Sequence, residues 1–450
     1  MPRTVKLKKG YDIRLEGTAE KKLAGTVSPA LYGVKPIDFP GLVPVLEISP
    51  GDAVDAGTTL FHDKARPEVK FTSPVSGKVV SVNRGERRQI MEIVIESEGS
   101  RFCEFGKSDP LGLTDIKVKE KILQSGLWPS IRQRPYHVIA NPGDSPKSIF
   151  ISGFDTAPLA PDYDFIVENS SVSWLRTGVK ALSRLTTGKI NLSLKAGVDG
   201  NQILGTLDNV ALTYFSGPHP SGNVGVQIHH VDPVNKGETV WYINLQDVIA
   251  LGRLFDEGIY RPERVVALTG SEVIAPQYYR MISGGSLIPL VEGKVKKGKL
   301  RYISGNVLTG RKTEPDGFLG FYDSQVTVIP EGDYSEFFGW AAPGAGKLSF
   351  SRTFLSSLFP KKIFKPDTNL HGGERAFVVT GLYEKVVPMD IYPMHLFKAI
   401  LAEDIDMMEN LGIYEVAEED FALCEFVCPS KIEIQSIVRK GLDLMRNEMS

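Results

Sequence analysis

Between Lys121 and His137 the chain gathers Trp128, Arg132, Arg134, Tyr136 and His137 within a few residues. An indole and a phenol offer apolar faces for stacking, and two guanidinium groups offer donors to carbonyl or developing oxyanion oxygens. Such a set could line a slot for a flat, partly polar ligand. The competing reading is a satisfied loop with Trp128 in the core, the commoner fate of an aromatic residue. Three other groups carry weaker chemistry. Cys424 and Cys428, followed by Pro429, resemble the end of a ferredoxin cluster motif, but two thiolates cannot hold a four-iron cluster and an isolated pair is poor for zinc. Cys103 stands far away in sequence, so a packed pair of buried thiols is the plainer expectation. The run Gly339–Lys347 has Ala341 where a Walker loop needs its first Gly, and Leu348 where it needs Ser or Thr for magnesium. His219, His229 and His230 show no nucleophile–base order and no metal-ligand spacing.

The elements that must position these residues change character along the chain. Phe71 to Val82 and Gln89 to Glu96 are β-rich and punctuated by turns at Pro50-Gly51-Asp52, Asp55-Ala56-Gly57 and Asn83-Arg84-Gly85. Leu113 to Ser125 has helical periodicity with Gly126 just beyond it. Strand-like runs at 148–152, 164–167 and 189–194 then alternate with helical ones at 171–185 and 244–254, which predicts βαβ units and a mostly parallel sheet. Residues 263–310 return to β structure around a short helix at 279–283, and a small β-grasp-like module fits them. The stretch 311–375 reads as loop, and helices at 399–410 and 432–447 close the chain.

The chain has 450 residues, which at the usual domain size predicts about three or four modules. Its 52 Lys and Arg against 54 Asp and Glu give a net charge of −2, which argues against a basic nucleic-acid-binding face. Abundant Gly (44) and Pro (29) favour a β- and loop-rich chain over a helical bundle. Three cysteines cannot form a disulfide framework in a chain this long, so a reducing compartment is expected. The first ten residues lack the apolar region of a signal peptide, and no stretch is long and apolar enough to span a bilayer. Any membrane association is expected to come through partners.

Gly51 to Ala65, followed by Ser73-Pro-Val-Ser-Gly-Lys-Val79, looks like a lipoyl or biotinyl carrier domain, in which Asp63-Lys64-Ala65 would sit on the hairpin that bears the cofactor. The interval from Lys64 to Pro74 is longer than in that pattern, and Pro67 interrupts the strand. A structural barrel-sandwich with unmodified Lys64 is therefore expected, with a carrier modified at Lys64 as the alternative.

The order of parts resembles the flavin- and NADH-binding subunit of respiratory complex I and the C subunit of the Rnf electron-transport complex. It is more closely similar to the A-subunit family of the Na+-translocating NADH:quinone reductase (the Nqr complex). The segments that carry this resemblance include Val69–Val80, Gln124–Trp128, Leu185–Lys189, Phe215–Pro220, Ile243–Ala250, Tyr302–Gly305, Phe337–Trp340, Tyr383–Lys385 and Phe426–Pro429. The resemblance implies an α/β and β multidomain fold: a lipoyl-like barrel-sandwich (1–105), a Rossmann-like α/β domain (106–257), a β-grasp, SLBB-like module (258–330) and a C-terminal loop-rich and helical domain (331–450).

It also implies a peripheral subunit on the cytoplasmic side of the bacterial inner membrane, docked on membrane-embedded subunits of a sodium-exporting quinone reductase. The flavin-binding relatives use a Gly-rich loop where this chain has Ser125-Gly126-Leu127-Trp128-Pro129-Ser130, and of its glycines only Gly126 survives. With Cys424 and Cys428 the remnant of the cluster ligands, FMN, NADH and the iron–sulfur cluster are all expected to be absent from this chain. Quinone (ubiquinone or menaquinone) is the ligand implied, with Trp128 and Tyr136 as stacking walls and Arg132 and Arg134 as donors. A purely structural subunit of the same complex is the other reading.

Overall fold

The computed structural model describes residues 3–197, 203–334, 336, 343–359 and 361–449. The segment Phe337–Trp340 and the first half of the Gly339–Lys347 run lie outside the described residues. At the centre is a seven-stranded sheet in the order Arg3–Lys6, Ala211–Ser216, Lys189–Lys195, Ser148–Ser152, Val240–Asn244, Ile131–Arg134, Val138–Ile139. The first five strands run parallel, and Ile131–Arg134 pairs antiparallel with Val240–Asn244. Because side chains alternate across a strand, Ile149, Ile151, Trp241 and Ile243 pack in the core that includes helices Val172–Leu182 and Leu245–Glu257. Phe150, Val240 and Tyr242 face the other way, onto helix Val224–Val231.

Two glycines set how closely the first helix pair approaches. A Cβ on Gly252 would lie 1.6 Å from the Trp174 carbonyl oxygen, and one on Gly178 would lie 2.0 Å from that of Val248. Both obstacles are backbone, so relief requires the helices to separate. Gly252→Ala is expected to destabilise the chain by about 1–3 kcal/mol, read as a lower urea midpoint with an unchanged slope.

A six-stranded sheet follows, in the order Arg311–Thr313, Leu300–Ser304, Gln325–Pro330, Glu263–Thr269, Gln277–Ile282, Leu23–Thr26. Two small antiparallel sheets form the barrel-sandwich, one of four strands (31–34, 53–54, 77–84, 90–97) and one of three (44–46, 59–63, 70–72). Helices Pro393–Leu401, Ile405–Asn410, Ala422–Val427 and Ile434–Met449 build a separate apolar core that includes Phe397, Phe421, Val438 and Leu442. No helix among the described residues is long and apolar enough to cross a membrane.

Several local expectations are corrected. Residues 164–167 are not a strand but part of helix Tyr163–Glu168, started by Asp162, whose carboxylate accepts the Phe165 N–H at 2.9 Å. Residues 279–282 belong to strand Gln277–Ile282 and Ser283 to the turn after it; the aromatic pair Tyr278-Tyr279 suits a half-buried sheet. The stretch 399–410 is two helices, divided at Glu403 (φ 53°) and restarted by Asp404, which caps Met407. Within 311–375, strand Gln325–Pro330 is nearly all buried. The first residues do not stay with the barrel-sandwich: Arg3–Lys6 adds an edge strand to the α/β sheet, and Leu23–Thr26 does so for the six-stranded sheet. Such edge additions cap open hydrogen-bonding rows, and a search for locally closed modules overlooks them.

Candidate functional site

Helix Asp115–Ser125 begins at Thr114, whose hydroxyl accepts the Lys117 N–H, and ends at Gly126 in the left-handed region (φ 79°). A Cβ there would lie 2.2 Å from the Thr72 hydroxyl of the barrel-sandwich, so Gly126 also lets two domains meet. The chain then turns through Trp128–Ser130 into strand Ile131–Arg134.

Alternation along that strand sends Arg132 and Arg134 to the same side as Tyr242. Arg132 is stacked between the rings of Tyr242 (4.7 Å) and Tyr322 (4.3 Å), the latter from the six-stranded-sheet domain. Arg134 lies 5.5 Å from the Tyr242 ring. Each contact is of cation–π type and fixes the guanidinium plane.

Arg132 Nη1 donates to His137 Nε2 at 2.9 Å, which leaves His137 Nδ1 to donate to Glu418 at 2.8 Å. Arg439 donates to the same carboxylate at 3.3 Å. Arg134, fully buried, meets Glu419 at 3.1 Å and Asp420 at 3.3 Å. Burial lowers the His137 pKa, with Glu418 opposing it. Burial works against the Glu418 charge, but His137 and Arg439 hold it well below the usual carboxylate range. Two carboxylates face the one guanidinium of Arg134, and they part company. Against burial, His137 and Arg134 keep Glu419 low, whereas burial, the Glu419 charge and the Glu418 charge together push Asp420 up to about 7 despite Arg134.

The sign of the pH effect follows. Asp420 binds its proton more tightly when folded than when unfolded, so this group stabilises the fold when protonated and its contribution falls as pH rises. Relative to the native chain, Asp420→Asn should gain stability between about pH 4, where a free carboxyl titrates, and the folded value of about 7, then level off. Urea unfolding of both proteins across that window checks it; a difference that shrinks as pH rises contradicts it.

Arg132, His137, Glu418, Glu419 and Arg439 border a cleft of about 590 Å³ at the meeting of three domains. Its walls include Arg132, Asp155 and Tyr163 from the α/β domain, Asn306 and Tyr322 from the six-stranded-sheet domain, and Glu418 from the helical domain. Burial raises the Asp155 carboxyl, opposed by the Ala157 and Thr156 amides, and raises the Tyr163 phenol. His219 lines an adjoining chamber, held neutral with a pKa pushed down to about 4 by burial.

Of the four candidates read from sequence, the structure brings only Arg132 to this cleft. Trp128 is fully buried; its Nε1 donates to the Ala140 carbonyl at 2.8 Å and its ring meets Trp241 edge-on at 5.4 Å. Arg134 is sealed behind its carboxylates. Tyr136 (φ 76°) sits against the helical domain beside Tyr414, at 6.2 Å. Sequence reasoning missed Asp155, Tyr163, Tyr322 and Glu418. The run Glu418-Glu419-Asp420 just before an apolar helix was the available signal, since three adjacent acids there need partners.

The remaining candidates have structural partners. His229 accepts the Asp390 N–H and bonds Glu415 at 2.5 Å, joining helix Val224–Val231 to the helical domain. Cys424 and Cys428 are buried, and the Tyr383 hydroxyl donates to Cys428 Sγ at 3.0 Å. Burial pushes the Cys424 thiol well up, so it stays protonated. Two buried thiols supply half of the four ligands a four-iron cluster takes. Among the described residues no group of three or more His, Cys, Asp or Glu side chains could hold a metal ion. Lys64 is exposed on its hairpin, which Arg66 ties down through Asp63 (3.0 Å) and the Ile139 carbonyl (3.4 Å).

A barrel-sandwich, a parallel α/β layer and an SLBB-type sheet joined to a helical end define a multidomain α/β protein of modular construction. Family models match all three sheet-bearing parts: the NqrA N-terminal barrel-sandwich hybrid domain at residues 5–98, the NqrA second alpha/beta domain at 113–260, and the NQRA C-terminal domain at 265–314. The Na(+)-translocating NADH-quinone reductase A subunit of Yersinia pseudotuberculosis is 41% identical over 452 residues, covering 99% of this chain and 100% of the relative. Those of Hahella chejuensis and Neisseria meningitidis serogroup A are each 40% identical with the same coverage. The chain belongs to the family of Na+-translocating NADH-quinone reductase A subunits. Among solved structures, a chain of an NAD+-reducing [NiFe]-hydrogenase matches at 13% identity and a TM-score of 0.35, over 67% of this chain and 60% of that one. A likeness at that level carries no argument.

Proposed function

We propose that this chain is a peripheral subunit of a Na+-translocating NADH:quinone reductase, contributes to quinone binding, and carries no redox cofactor of its own. Electrons from NADH and the movement of sodium belong, in this reading, to partner subunits, including membrane-embedded ones. The chain docks on them from the cytoplasmic side of the bacterial inner membrane, and alone it is inactive. The observation that carries the quinone assignment is Arg132, whose guanidinium is stacked between two tyrosine rings at the cleft wall, with a buried Nε that has no hydrogen-bond partner. Quinone reduction places negative charge on the carbonyl oxygens. A fixed cation with a donor to spare stabilises that charge without reorganising. Tyr163, whose phenol burial keeps protonated, supplies a further donor at the same wall.

The loss of FMN and NADH is supported by the segment where a flavin-binding loop would need bare backbone. Here Leu127, Trp128, Pro129 and Ser130 are all buried, and the indole packs edge-on against Trp241. The loss of the cluster is supported by the two buried thiols. Titration of the purified chain with a short-chain quinone, followed by tryptophan fluorescence, tests the binding; no saturable change would remove quinone from this chain. The scaffold reading draws on the burial of Trp128 and Arg134 and predicts that outcome. An intact mass without a lipoyl or biotinyl increment would dispose of a carrier role for Lys64.

A further inference from the structure

On the opposite face of the α/β sheet, a second pocket of about 400 Å³ opens between the helix pair and the six-stranded sheet, and it shares no lining residue with the cleft. Its character is different. Arg253, Arg261 and Arg280 converge there, and among its lining residues Glu263 is the one carboxylate. That carboxylate is spread over three guanidinium groups at long range: 3.5 Å to Arg261, 3.5 Å to Arg280 and 3.9 Å to Arg253. None is the short, two-pronged contact an arginine makes with its own acid.

Arg253 has Glu257 at 2.7 Å and is stacked on Trp174 at 4.5 Å, so its plane is set. Arg264, also at the wall, is committed to Asp247 at 2.6 Å. Arg280 donates to the Asn169 carbonyl at 2.6 Å and shares Glu263 with Arg261, whose buried Nε has no acceptor. Helix Val172–Leu182 starts at this wall, and its Ser171 makes no side-chain cap, which leaves first-turn amides without that acceptor. Asp256 is close by on the neighbouring helix, but it accepts from the Ser173 and Thr177 hydroxyls.

We propose that this pocket binds an oxyanion of the phosphate class, held between Arg261, Arg280 and the start of helix Val172–Leu182. Three donors from two domains in one concave site match a tetrahedral anion, and Glu263 is the group such an anion displaces. The phosphate could belong to a soluble phosphorylated compound or to an anionic lipid headgroup.

Calorimetric titration of the full chain with pyrophosphate at fixed ionic strength provides the test. Saturable binding is expected, weakened by about a hundredfold or more in R261Q/R280Q, since each of the two charge-assisted hydrogen bonds lost is worth about tenfold or more. E263Q should bind more tightly than the native chain, because the competing carboxylate is gone while every arginine remains. That variant keeps the test decisive should the double variant fold poorly. Co-sedimentation with phosphatidic acid vesicles, sensitive to the same substitutions, would assign the phosphate to a lipid; pyrophosphate binding without vesicle binding would assign a soluble ligand. Native affinity in both variants, or weaker binding in E263Q, would overturn the proposal.

Discussion

Arg134→Leu should destabilise the folded chain by about 3–5 kcal/mol, the cost of leaving buried carboxylates without their cation. Arg134 is fully buried and is the shared partner of Glu419 and Asp420, which sit on the helical domain. Its guanidinium is the charge that holds strand Ile131–Arg134 to the turn at 418–421. Asp420 can take up a proton and soften the loss, since its carboxyl already titrates at about 7. Glu419 lies lower, and in the variant its charge would rely on His137 and Arg132 alone. The damage should therefore be smaller at pH 5 than at pH 8. Urea denaturation of the variant at both pH values checks the magnitude and the direction; a loss below about 1 kcal/mol at both, the worth of an exposed pair, would mean that Arg134 is not a buried link between the domains.

Trp128→Ala should cost a similar amount, about 3–5 kcal/mol, by a different route. The indole is completely enclosed, meets Trp241 edge to face, and spends its N–H on the Ala140 carbonyl. Truncation leaves a cavity at the junction of helix Asp115–Ser125 and the α/β sheet, and strands the Ala140 carbonyl. Trp128→Phe restores most of the volume but not the hydrogen bond, so it should recover more than half of the lost stability. If Trp128→Ala instead left the unfolding midpoint unchanged and abolished quinone binding, the residue would be a ligand wall and not core.

These two residues show how much the sequence disclosed. The order of domains was legible because each has a local signature: Gly-punctuated short strands before residue 100, strand–helix alternation to 257, then a return to β structure. The segment 121–137 stood out in the sequence as dense in capable side chains, and one of its four candidates, Arg132, lies at the cleft. What could not be read was which way each side chain goes. Arg132 and Arg134 differ by one strand repeat and share a face, yet one reaches the cleft and the other is sealed by Glu419 and Asp420, some 285 residues on in sequence. Long-range partners of that kind leave no periodic trace. The runs 279–283 and 164–167 were misread because short apolar stretches satisfy both periodicities, and only pairing with Glu263–Thr269 or capping by Asp162 decides between them.

Whether the three-domain cleft receives quinone through Arg132 is decided by the quinone dissociation constant of the purified chain against its Arg132→Gln variant, with unfolding curves on the same samples. Gln keeps a polar side chain but removes the fixed charge beside Tyr242 and Tyr322. Binding should weaken about tenfold, the worth of one charge-assisted hydrogen bond, in a variant whose unfolding curve shows it folded under the conditions of the titration. Equal affinity in the two proteins would contradict the assignment and leave this chain a scaffold.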